Sequence, residues 1–319
     1  MTRRLRLGLA YPIVAFALAC LGACGNYSND DLEFMDAIPA QNETTVELPL
    51  RPAAVLPSAA DGWRQTLEVS RTFNATAVGL LTLVDRIRSN YPTTRNSQTR
   101  IWGPYPAEDN PGWQVEFSMT KDPALNRFEY RLEMIPPAGV TLALGGSRTL
   151  VLAGRFDTSG AAKVGQGHVE LSPGEARLAG VAFKGLDRLQ MLVLDYDTRG
   201  LAQSIDMTLD YDPPADPVMD VARAAYHYRR DQTGLHDMQF DADKDIVPGP
   251  AGVDTMHIQS RWQADGQGRE DISITAGDGA GVAMAAECWN TRFQSTFKSL
   301  SWSPPAVGDP ATCIVSAAM

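Results

Sequence analysis

Between residues 113 and 288 the chain alternates apolar and polar residues in short paired runs. That alternation restricts the fold more than any other feature. Trp113, Val115, Phe117 and Met119 alternate with Gln114, Glu116, Ser118 and Thr120. Phe128, Tyr130, Leu132 and Met134 answer them, alternating with Glu129, Arg131 and Glu133, and residues 121–126 lie between as a loop. A period of two sends successive side chains to opposite faces of a strand. The pair therefore reads as a β-hairpin with one apolar and one solvated face. The pattern recurs in 149–157 with 167–172, 189–197 with 204–212, 224–230 with 235–243, and 254–262 with 270–277. It is a loose hairpin repeat without the consensus of propeller blades or solenoids. With a last run, Val282, Met284, Ala286 and Cys288, the reading gives about ten or eleven antiparallel strands.

One strong helical pattern precedes the strands. Phe73, Ala77, Leu80, Val84, Ile87 and Tyr91 fall at spacings of four and three, which predicts a helix over 63–89 with one buried stripe, stopped by Pro92. Its polar face carries too little positive charge for a helix lying on a membrane. Each strand needs a partner for its apolar face. The expected fold is therefore mainly β (α+β): an antiparallel meander of about ten strands curled into a barrel or half-barrel, with the N-terminal helix packed against it. A two-sheet sandwich is the second choice. Ile101, Trp102, Gly103, Pro104, Tyr105 and Pro106 read as a rigid loop, its two aromatics either plugging one end of the fold or offering a platform to a sugar or lipid.

The first 25 residues decide location. Arg3, Arg4 and Arg6 form a positive start, and 7–21 is an apolar run, long enough for a signal peptide and short for a membrane span. Leu21, Gly22, Ala23 and Cys24 follow. This segment resembles the lipobox of bacterial lipoproteins. The resemblance implies cleavage before Cys24, a diacylglyceryl group on its sulfur and an acylated amine. Cys20, with Ala17 three residues before it, is a weaker competitor, and an ordinary signal peptide with incidental cysteines is the remaining alternative. Gly25 after the cysteine favours the outer membrane under the enterobacterial sorting rule. Two or three acyl chains hold a protein stably at a membrane, where one does not. The expected organisation is a signal peptide over 1–23, a lipidated Cys24 and flexible tether over 24–60, and a single β-rich envelope domain over 61–319. The tether is inferred from four prolines and few large apolar residues, and as a coil it would reach about 30–35 Å.

Charge and cysteines narrow the partners. The formal net charge is −10; removing Arg3, Arg4 and Arg6 takes the basic count from 28 to 25 against 38 acids, a net of −13. Such a chain argues against nucleic acid and against anionic headgroups as partners. Cys288 and Cys313 remain after processing. In an exported domain they are expected to form a disulfide, which stabilises by roughly 3–4 kcal/mol in the chain-entropy model.

Motifs for chemistry are sparse. The chain has no G-x-S-x-G, no H-E-x-x-H and no phosphate loop, and no metal or cofactor is assigned. His168, His227, His236 and His257 are read as solvated surface residues. If 231–234 is the turn, Arg229 faces His236, and His227 lies diagonal to it on the polar face. Asp241, Asp243 and Asp245 begin a calcium-loop pattern that fails at Ile246 and Gly252. Asp210, Asp212, Asp216 and Asp220 form a second acidic cluster.

Two functions fit. The first is a non-enzymatic lipoprotein that binds a lipid or another apolar ligand on its curved sheet, with Phe117, Met119, Tyr130, Leu132, Met207 and Leu209 facing the ligand. The second is a structural or interaction lipoprotein of the envelope with a fully packed interior.

Overall fold

The computed structural model describes residues 29–38, 44–48, 59–88, 90–142, 145–161, 163–183, 186–200, 202–213, 221–245 and 253–313. Residues 1–25, read above as a signal peptide ending in a lipidated Cys24, lie outside them. Fifteen strands form one antiparallel sheet in chain order. They are β1 (Thr94–Arg95), β2 (Thr99–Pro106), β3 (Gln114–Asp122), β4 (Arg127–Ile135), β5 (Thr149–Thr158), β6 (Gly165–Leu171), β7 (Leu189–Asp197) and β8 (Gln203–Tyr211), then β9 (Arg223–Arg230), β10 (His236–Lys244), β11 (Asp254–Trp262), β12 (Gly268–Ala276), β13 (Met284–Trp289), β14 (Ser295–Leu300) and β15 (Val307–Gly308). Among the described residues three α-helices accompany them: α1 (Asn29–Asp36), α2 (Asp61–Arg88) and α3 (Pro173–Leu178).

The expected meander is present, but with more strands and without closure. The sheet is open, with β1 and β15 at its two edges. The reason lies in α2. Near its start Gly62 N donates to Glu287 on β13 at 2.7 Å. Midway, Phe73 packs edge-on against Tyr226 on β9. Just past its end, Asn90 O accepts from Trp102 Nε1 on β2 at 2.9 Å. The helix thus runs across the strands instead of along them. At 1.5 Å per residue it is about 42 Å long, a rod laid across the sheet that keeps the edges apart. From β2 to β13 the strands span about 53 Å at ordinary spacing, so the sheet bows toward the helix to meet it at both ends.

The inner face holds the core, and most of the predicted alternation appears there. Phe117 and Met119 on β3, Phe128, Tyr130, Leu132 and Met134 on β4, Met207 and Leu209 on β8, and Tyr226 and Tyr228 on β9 are all buried. The helix stripe Phe73, Ala77, Leu80 and Val84 is buried against them, while Tyr91, past the helix, is exposed. Three inner-face aromatics lie flat over a glycine directly across from them: Tyr130 over Gly154, Tyr196 over Gly167 and Trp289 over Gly268. A β-carbon at Gly167 would stand 1.9 Å from the Tyr196 ring. The missing side chain is what lets each ring lie down and the helices approach.

Several expectations are corrected. Residues 101–106 are part of strand β2, with an irregular register between Trp102 and Tyr105. Their two prolines and glycine hid the strand. Trp102 is buried as a plug. The stretch read as a tether is in part packed. Phe34 of α1 meets Phe128 edge-on at 5.2 Å, and Ala37, Ile38 and Val46 are buried. Asp31 and Arg100, both buried, form an ion pair at 2.5 Å. Asn74 of α2 accepts from Val46 N at 2.7 Å and donates to Val46 O at 2.9 Å. Apolar residues are few in this stretch, but Phe34 and the buried Asp31 find partners on the sheet. Composition alone does not register that.

The final run is out of phase. Val282 and Met284, expected inside, are 71% and 54% exposed, and Glu287 and Trp289 are buried on the inner face. Cys288 is buried on the opposite face by its disulfide to Cys313, with Cα atoms 5.5 Å apart, as expected for this pair.

Candidate functional site

Five of the six residues expected to face a ligand are buried in the core. Phe117, Met119, Tyr130, Met207 and Leu209 are packed beneath α2 and its neighbours. Leu132, also buried, is the one that borders a cleft. It contributes to a cleft of about 440 Å3 at the 114/135 end of β3 and β4. There the apolar face continues past the helix as Tyr105, Val115, Leu132 and Met134. Phe183 and Leu186, from the segment before β7, form the facing wall. Asn90, Glu108, Asp109 and Asn110 add polar groups. Asn110 clamps the two sides together: its Nδ2 donates to Ala182 O at 3.0 Å, and its Oδ1 accepts from Ala182 N at 2.8 Å. The volume falls within the usual 300–1,000 Å3 of small-molecule pockets. Sequence periodicity could locate the apolar face, but not the place where its cover stops.

A second arrangement lies at the other end of α2. Glu270 on β12 and Glu287 on β13 are direct cross-strand neighbours on the inner face, and both are buried. Thr66 Oγ1 lies 2.8 Å from Ser260 Oγ and 3.3 Å from Glu270 Oε2, to which Ser260 also donates at 3.3 Å. Glu287 Oε2 takes the Gly62 amide at the start of α2, where a carboxylate is favoured by the exposed backbone N–H groups. Like charges directly opposite repel. Burial pushes the Glu270 carboxyl up to about 8; hydrogen bonds from Ser260 and Thr66 oppose the rise, and Glu287 and Asp271 add to it. The signal for this pair was present but weak. Glu270 shares the parity of Ile272 and Ile274, and Gly62, Thr66 and Ser70 extend the helix stripe backward at four-residue steps.

The histidines divide by face. His168 pairs with Asp195 at 2.7 Å and His257 with Asp241 at 2.7 Å, while His227 pairs with Asp206; each partner lies directly across the outer face. His236 departs from the surface reading. The turn holds one more residue than expected, so Arg230, not Arg229, faces His236. A one-residue slip moves a side chain to the other face. His236 is buried, stacked on Trp262 at 5.2 Å, with Nδ1 2.8 Å from Tyr228 Oη. Burial lowers its pKa and pushes the Tyr228 hydroxyl up to about 12.

Asp241 and Asp243 sit within β10, where Asp243 accepts from Thr255. Asp210 faces Arg223 and Asp212 pairs with Arg177. Asp216, Asp220, Ile246 and Gly252 lie outside the described residues. Among the described residues no group of three or more His, Cys, Asp or Glu converges as a metal site. No family model, curated protein or solved structure matches the chain.

Proposed function

We propose that the protein is a non-enzymatic lipoprotein of the bacterial envelope, anchored through Cys24 with the outer membrane favoured, that binds a lipid or another apolar ligand. The cleft between Met134 and Phe183 carries this reading. It joins an apolar floor to a polar rim, the combination that admits a chain and orients a head group. The bowed, open sheet with α2 on its inner face is read with it as a half-barrel. A membrane is the partner through the anchor, and the charge balance disfavours nucleic acid.

The packing of α1 shortens the tether on this reading. Five residue steps separate Cys24 from Asn29, at most roughly 18 Å of chain. The membrane would then lie close to α1, at the Phe128 end of β4. The cleft would open about 20 Å away, at the other end of the same strands. Replacing Cys24 with Ala is expected to move the protein from the membrane fraction to the soluble fraction; retention at the membrane rejects the anchor.

The ligand is tested by filling its place. Met134→Trp puts an indole into the cleft and is expected to lower the affinity for a fluorescent fatty acid at least tenfold, with the fold retained by circular dichroism. Unchanged affinity, or no binding by the parent protein, rejects the apolar-ligand reading. The burial of Phe117, Met119, Tyr130, Met207 and Leu209 favours the second reading, a structural or interaction lipoprotein. Absence of any ligand from the parent in native mass spectrometry would select it.

A further inference from the structure

We propose that Glu270 and Glu287 form a second binding site, which takes a primary ammonium group carried on a short aliphatic chain. The site is a cavity of about 130 Å3 between the start of α2 and the strands β12 to β14. Its floor is Glu270 and Glu287, its walls include Ile272, Ala285 and Leu300, and Trp302 stands at its rim. Glu270 is 2% exposed. Its Oε2 has Thr66 and Ser260, but Oε1 accepts no hydrogen bond from any described residue. Oε1 lies 3.2 Å from the point where a β-carbon of Gly62 would stand, so the glycine keeps the space above the carboxylates open. Glu287 uses only Oε2, on the Gly62 amide.

The chemistry of the lining selects the ligand. Two acceptor oxygens without donors call for a group with several N–H bonds and a positive charge, and an ammonium offers three donors. Apolar walls suit methylenes, and Trp302 at the rim covers the far end of the aliphatic chain. The volume is that of about four waters, which fits a head and a few carbons and excludes a sugar ring. A calcium ion would need six to eight oxygens. The chain's own ammonium does not occupy the place. Lys298, across from Glu287 in register, turns to Asp61 instead, with Nζ 2.6 Å from Oδ2. That pair is favourable enough to lower the Asp61 pKa and raise that of Lys298. The charged groups that act on Glu270 are Glu287 from β13 and Asp271 on its own strand, and Asp61 from α2 and Lys298 from β14 line the same cavity. Seating an ammonium against Glu270 expels the proton that the carboxyl holds below pH 8, so binding and proton release are coupled.

The test is calorimetric titration of the full chain in detergent with n-butylammonium, in buffers of different ionisation heat. Saturable binding is expected, with about one proton released at pH 7 and affinity rising about tenfold per pH unit up to pH 8. Glu270→Gln is expected to weaken binding at least tenfold and to remove the proton release, and Glu287→Gln to weaken it at least tenfold. Because Trp302 is 63% exposed, Trp302→Ala leaves the fold intact, and it is expected to weaken binding several-fold. Glycerophosphoethanolamine, run in parallel, separates a free amine from a lipid headgroup as the source; binding of either supports the site. Failure of both to bind the parent overturns the proposal. So does tetramethylammonium binding as well as butylammonium, or unchanged affinity in Glu270→Gln and Trp302→Ala.

Discussion

Glutamine at position 270 is expected to flatten the pH dependence of stability and to make the protein more stable than the parent in mild alkali. In the unfolded chain Glu270 ionises near 4.5; in the folded protein burial holds the proton on it up to about 8. Between these values the native state binds more protons, so stability falls as pH rises, and the cost is complete above 8. The displacement corresponds to a loss on the order of 5 kcal/mol from this one group. Glutamine is the neutral isostere and cannot ionise, so the variant does not incur that loss. Urea unfolding of both proteins at pH 5, 7 and 8.5 measures it, and the difference between them isolates Glu270 from other titrating groups. Parallel pH profiles for the two proteins would mean that Glu270 is solvated and that the buried pair does not exist.

Replacing Phe117 with Ala is expected to cost about 3–5 kcal/mol, the usual loss for a large aromatic removed from a packed core. For a chain of this size that lowers the melting temperature by roughly 6–20 °C. The substitution separates two roles for one residue. A side chain lining an empty ligand cavity can be truncated at little cost to the free protein, whereas Phe117 is fully buried, 5.5 Å from Trp102 and 6.3 Å from Tyr130 between ring centres. Val282→Ala is the companion measurement. Sequence periodicity assigns Val282 to the interior, yet it is largely exposed, and its truncation is expected to change stability by no more than about 0.5 kcal/mol. Equal losses at the two positions would reject the strand phases described above.

The candidate sites differ in how far sequence reached them. The floor of the cleft, Val115, Leu132 and Met134, follows from the alternation of β3 and β4. Its walls do not: Phe183 and Leu186 lie more than forty residues away on an irregular segment, and they meet the floor through the clamp at Asn110. The carboxylate pair was harder still. Glu287 took the outer parity because Val282, Met284, Ala286 and Cys288 form the cleaner apolar run. The disulfide explains one member of that run. Cys288 is buried by its bond on the outer face, so its apolar character says nothing about the inner one.

By itself the sequence determined the hairpins, the inward faces of β3, β4 and β8, the long helix and the cysteine pairing. All but the last are local periodicities that a strand or helix must obey, and the cysteines had one available partner each once Cys20 and Cys24 were assigned to the leader. The tertiary structure alone decided the open edges, the packing of residues 29–48 and the phase of β13. It also decided the meeting of Glu270 with Glu287 beneath the start of α2. These depend on contacts such as Gly62 with Glu287, 225 residues apart. A single mismatched residue in β13 weighs little in a pattern count, but burial beside a helix terminus that needs an acceptor turns that residue inward.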